Sequence, residues 1–143
     1  MENFLDLVMN KETRTTLTIC GSFKNRELKE KYQAYYTLKN NLVFMPINYS
    51  IIASEVETTN EVRRENIEIL HSIHDKKIDM SHAIIVVTGN DGYYGKDTAR
   101  EVCRADSFQI RILYTYVPEN EKEQFYFNND LNYPLYMLKE EYM

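Results

Sequence analysis

The chain has 143 residues, 43% of them apolar, and a net charge of −5; that length fits one domain, and that apolar share excludes wholesale disorder. The acidic balance and the lack of a long basic run exclude a duplex nucleic-acid binder, which needs a positive footprint, but not a small phosphorylated ligand held in one local pocket. No apolar run reaches the roughly 20 residues that span a bilayer, and the opening stretch MENFLDLVMNKETR has no basic start of a signal peptide, so a soluble, cytoplasmic protein without a membrane partner is expected.

In chain order the pattern alternates between β-like runs and helical stretches. TTLTIC (15–20) is β-branched and bounded by Gly21, which reads as a strand. Residues 25–40 are charged with apolar spacing near 3.6, which predicts a helix. LVFMPI (42–47) predicts a second strand, with Pro46 marking its end, and 48–59 reads as a loop with about one helical turn. A long helix is expected over 60–77, with Val62, Ile69 and Ile73 on one face. HAIIVV (82–87) is apolar throughout, as expected of a strand covered on both faces. A shorter helix over 97–106 and a strand over 110–116 follow, then a polar helix near 119–125 and a final strand, PLYML (134–138). This order implies one α/β domain with a parallel sheet of four to five strands and helices on both faces. Residues 117–143 then form a tail suited to oligomerisation. In such sheets ligands sit beyond the carboxyl ends of the strands.

Two loops lie at that edge. Gly21 and Ser22 join the first strand to a helix, where a glycine lets backbone amides approach an anion, Ser22 can donate, and Lys24 or Arg26 supplies charge. No G-x-G-x-x-G or G-K-[ST] motif marks a dinucleotide or nucleoside triphosphate site, and an ordinary strand-to-helix turn explains the stretch equally well. The second loop holds Gly89, Gly92 and Gly95, three of the four glycines, beside Tyr93 and Tyr94, and leads into the helix that carries Glu101. On spacing alone, Thr98-x-x-Glu101 fits a capping box, with the glutamate satisfying its own helix. Asp79 ends the long helix, either as a helix stop or as a group that orients a ligand hydroxyl. His71 and His74 have the spacing of two ligands on one helix, but no further cluster accompanies them. His82 opens a strand and reads as structural, and Cys20 and Cys103, with no C-x-x-C pair, read as buried thiols. No metal site and no cofactor is expected.

The segments LTICGSFKN, LHSIHDKKIDMSHAIIVV and GYYGKDTAREVCRA, in this order, resemble the nucleoside 2-deoxyribosyltransferase-like superfamily, in particular its small bacterial and phage branch, over roughly residues 17–114. The resemblance implies a Rossmann-like, flavodoxin-type sheet and cleavage of the N-glycosidic bond of nucleosides or their 5′-monophosphates. It implies that Glu101, in the shared E-x-x-x-A pattern ending at Ala105, attacks the anomeric carbon in a retaining transfer, with Asp79 assisting. It further implies that Gly21, Ser22 and Gly95 cradle the 5′ end; beside them Lys24 and Thr98 are expected to bind substrate and Tyr94 to hold the carboxylate. Many relatives complete the site with a neighbouring subunit, which implies a homodimer or higher homo-oligomer. Where relatives have A-D-x-I, this chain has Ser81-His82-Ala83-Ile84. The expectation is a nucleoside deoxyribosyltransferase or nucleotide N-glycosidase acting on a small-molecule nucleoside or nucleotide; the alternative is a non-catalytic nucleotide-binding or sensing module on the same scaffold.

Overall fold

A computed structural model describes residues 15–89, 92–118, 121 and 132–138. Its four strands are β1 (Thr16–Gly21), β2 (Leu42–Phe44), β3 (Ala83–Val87) and β4 (Arg111–Tyr114), and its helices are α1 (Arg26–Leu38), α2 (Ala53–Val56), α3 (Asn60–Asp79) and α4 (Lys96–Ser107). The strands form one sheet in the order β2-β1-β3-β4, and every pairing is parallel. This is the parallel α/β sheet that the alternating pattern implies, in the flavodoxin-type arrangement that the resemblance implies, with a topological switch point between β1 and β3.

The faces follow from the period of two along each strand. Leu17 and Ile19 of β1 join Ala83, Ile85 and Val87 of β3 under Tyr32 and Tyr36 of α1. Cys20 joins Ile84 and Val86 on the opposite face, under Ile78 of α3 and Ala105 of α4. All five residues of β3 are buried, because helices cover it from both sides.

Element ends differ from the sequence reading by a few residues. Strand β2 stops at Phe44, ahead of Pro46, and α3 runs two residues further, to Asp79. Thr59 caps α3 by accepting the Val62 N–H at 3.1 Å. The expected polar helix near 119–125 lies outside the described residues, apart from residue 121. Instead of a full strand, PLYML contributes an antiparallel bridge at the outer edge of β4, where Tyr136 and Tyr114 exchange both backbone hydrogen bonds at 2.9 Å. Leu135 beside it is fully buried, and Tyr133 stacks on Tyr35 with centroids 4.4 Å apart. The Tyr32 and Tyr36 hydroxyls donate to the carbonyls of Pro134 and Tyr133, each at 3.0 Å. Segment 132–138 is therefore part of this domain's own core. Among the described residues, no helix is long and apolar enough to cross a membrane.

Gly21 closes the switch point. It remains in register with Val87 at φ +155°, and a Cβ there would stand 2.7 Å from the Val87 carbonyl oxygen. Gly21→Ala is expected to destabilise the fold by about 1–3 kcal/mol, the usual cost of forcing an extra carbon into a packed site, measured as a lower denaturation midpoint with an unchanged slope.

Candidate active site

At the carboxyl edge of the sheet lies a cavity of about 660 Å³, within the range of small-molecule sites. Its walls are the β1–α1 turn (Gly21, Ser22), the segment after β2 (Met45–Tyr49), one side of α3 and the start of α4. The turn is tightened by Ser22, whose Oγ accepts the Lys24 N–H at 3.1 Å.

Three side chains from three elements meet at the inner wall. Cys20 is fully buried near the end of β1, and His74 of α3 and Glu101 of α4 are 8% and 7% exposed. The Cys20 Sγ lies 3.7 Å from His74 Nε2, which lies 2.9 Å from Glu101 Oε2. That last approach is close but lacks hydrogen-bond alignment, so Glu101 Oε2 is buried with no hydrogen-bond partner among the described residues, and the other ring nitrogen, His74 Nδ1, is likewise buried without one. Lys29 of α1 is buried nearby and donates to the Gly21 carbonyl at 3.3 Å. Burial pulls its pKa down, and the Glu101 and Cys20 charges oppose that shift. Burial, then the Glu101 carboxylate, push the Cys20 thiol well above its ordinary range.

The capping-box reading of Glu101 does not hold. Gly95 is the N-cap of α4, so Thr98 is already the third helical residue, and no side chain caps this end. Glu101 sits one turn further in than a capping glutamate, on the buried stripe Thr98–Glu101–Ala105. Of the three loop glycines only Gly92 uses a positive φ, 84°, closing the loop as its N–H donates to the Gly89 carbonyl at 2.9 Å. Gly95 has an ordinary φ of −62°.

The structure brings Gly21, Ser22, Gly95, Thr98 and Glu101 together around the cavity. Lys24, Asp79 and Tyr94 are not among its lining residues. Tyr94 packs against Tyr114 on the far side of α4, with centroids 6.1 Å apart. Asp79 lies at the exposed end of α3, held by Arg104 through two hydrogen bonds of 2.8 and 2.7 Å. Arg100 holds Asp75 in the same way, at 3.2 Å twice, so two Arg–Asp pairs fasten α4 to α3 outside the His74–Glu101 contact. His82 is at the opposite, amino edge: its Nδ1 accepts the Thr16 N–H at 3.0 Å while its own N–H donates to the Thr16 carbonyl at 2.8 Å. The departure from the A-D-x-I pattern therefore lies away from the cavity.

Sequence reasoning read Cys20 as an inert thiol and His74 only beside His71, and it did not single out Lys29 or Asn48. Asn48 lines the cavity with a buried Nδ2 that has no hydrogen-bond partner among the described residues. A buried polar atom without a partner is costly, and two such groups in one cavity wall point to a polar ligand. Neither a protein-family model nor a curated protein matches this chain; the resemblance to the deoxyribosyltransferase-like superfamily rests on its three short motifs.

Arg104 holds the Asp79 carboxyl below its ordinary range, chiefly by hydrogen bonding. Because the folded value is the lower one, the pair stabilises the fold above the ordinary aspartate pKa and loses that contribution as pH falls through the depressed value. Arg104→Ala is expected to return the Asp79 titration, followed by NMR, to its ordinary midpoint, at a cost of under about 1 kcal/mol for so exposed a pair.

Proposed function

We propose that the cavity binds a nucleoside 5′-monophosphate and that Glu101 cleaves its N-glycosidic bond. The observation that carries this reading is the Glu101 carboxylate itself: it is buried in the wall of a nucleotide-sized cavity at the sheet's carboxyl edge, and Oε2 is committed neither to its own helix nor to another hydrogen bond. An oxygen of Glu101 attacks C1′ as the C1′–N bond breaks; the electron pair leaves with the base, which takes a proton from solvent in the open cavity. Attack at C1′ by water or a second base, which gives up its proton to solvent in the cavity, then breaks the C1′–O bond to Glu101 and frees the carboxylate, with net retention. His74, 2.9 Å away, orients that carboxylate. Asp79 has no part in this reading.

The lining favours a phosphorylated substrate. Of five lining cations, Arg26 pairs with Glu30 and Arg100 with Asp75, which leaves Lys29, Lys77 and Lys96 facing two carboxylates, Asp97 and Glu101, in a chain that is acidic as a whole. The uncapped start of α4, with the Lys96, Asp97 and Thr98 amides, opens on the same space, and free amides at a helix N-terminus suit a phosphate. Asn48 Nδ2 supplies a donor for the base or sugar.

A chromatographic screen of nucleosides and their 5′-monophosphates, with and without an acceptor base, tests this. Base release is expected from at least one monophosphate in preference to the free nucleoside. It should fall by about 10³-fold or more in Glu101→Gln, as when an attacking group is removed, with an unchanged circular dichroism spectrum, while Asp79→Asn stays within about threefold of the parent, as expected of a group outside the site. Thermal stabilisation by nucleotides with no base release from any of them would show a binding module instead.

A further inference from the structure

We propose that Cys20, His74 and Glu101 form a binding site for a borderline-soft divalent cation, Zn²⁺ foremost, whose occupancy withholds Glu101 from substrate. Sequence spacing pairs His74 with His71; the fold pairs it instead with a thiol and a carboxylate from two other elements. The three ligand atoms lie within 4.8 Å of one another, and all three residues are buried. With zinc bonds of about 2.0–2.3 Å, neighbouring ligands of a tetrahedral centre stand about 3.3–3.6 Å apart. The observed 2.9 Å and 3.7 Å contacts of His74 Nε2 bracket that spacing.

The chemistry of the donors agrees. Thiolate, imidazole and carboxylate together select a borderline-soft ion, whereas Mg²⁺ and Ca²⁺ prefer oxygen alone. The Nε2···Oε2 approach is not a hydrogen bond, Oε2 is buried with no other partner among the described residues, and the hydrogen-bond contact of Nε2 is with the Cys20 thiol, itself a ligand of the proposed site. Lys29, the nearby cation, donates to the Gly21 carbonyl. Binding releases the thiol proton of Cys20, so that thiolate and carboxylate together match the charge of the ion, beside the Lys29 ammonium. Since His74 and Glu101 line the cavity and Cys20 lies behind them, the ion enters from the cavity and keeps its fourth position there, as in zinc sites with an open coordination position. The inhibitory consequence rests on the nucleophile assignment of Glu101; the site itself does not.

Cobalt(II) added to the full chain is the probe, because a cobalt–thiolate bond absorbs in the near ultraviolet. The expected result is a single bound Co²⁺ whose thiolate band is displaced by Zn²⁺ but not by excess Mg²⁺. The band persists in Cys103→Ser, the exposed thiol, and disappears in Cys20→Ser. In His74→Gln, which leaves the core thiol in place and serves if Cys20→Ser fails to fold, affinity falls by about tenfold or more, since the loss of even an outer-shell partner costs about 10–100-fold. The proposal is overturned if no thiolate band forms, if the band follows Cys103, or if His74→Gln binds Co²⁺ as the parent does. None of these readouts depends on base release, so failure of the metal site and failure of the catalytic reading are separately visible.

Discussion

The approach of Gly21 to Val87 is the constraint on which the carboxyl edge depends. Parallel pairing of β1 and β3 continues to the last residue of each strand, and only a residue without a Cβ can leave β1 there, 2.7 Å being too close for a carbon against a carbonyl oxygen. From that point the chain turns through Ser22 into α1 on one face, while α3 and α4 cover the other. The crevice opens where these directions diverge, as expected at a switch point. Cys20, one residue earlier, is thereby aimed at the α3–α4 side.

Helices α3 and α4 are joined by two kinds of polar contact with opposite physical character. The outer contacts, Arg100–Asp75 and Arg104–Asp79, are bidentate and partly exposed, so water reaches and screens them while they hold the helices in register. The inner contact, His74 with Glu101, is desolvated and imperfectly hydrogen-bonded. A protein selected for stability alone would bury apolar side chains there, because unsatisfied polar groups cost free energy in a low dielectric. A thiol, an imidazole and a carboxylate at one buried point depart from that expectation.

Much of the architecture was legible. The apolar run at 82–87 reads directly as a strand covered on both faces, and the spacing over 60–77 as a helix, since both signals arise within a few neighbouring residues. Helix starts were less legible, and the capping-box reading of Glu101 rested on one: the box requires Thr98 at the N-cap, and the helix begins at Lys96, so the glutamate lies a turn too far in. The few-residue ambiguity of helix ends was enough to exchange a local role for an inward-facing one.

By itself the sequence determined the alternation of strands and helices, the buried character of β3 and the presence of chemically able residues near the strand ends. These follow from apolar periodicity and turn chemistry, which are local. Only the tertiary structure decided that Cys20, His74 and Glu101 share a wall, while Asp79 is tied to Arg104 outside it and Tyr94 lies against Tyr114. Those outcomes depend on which helix covers which face, on the rotation of each helix about its axis and on the side to which each crossover returns. Packing of the whole domain sets all three, and no short stretch of chain carries that information.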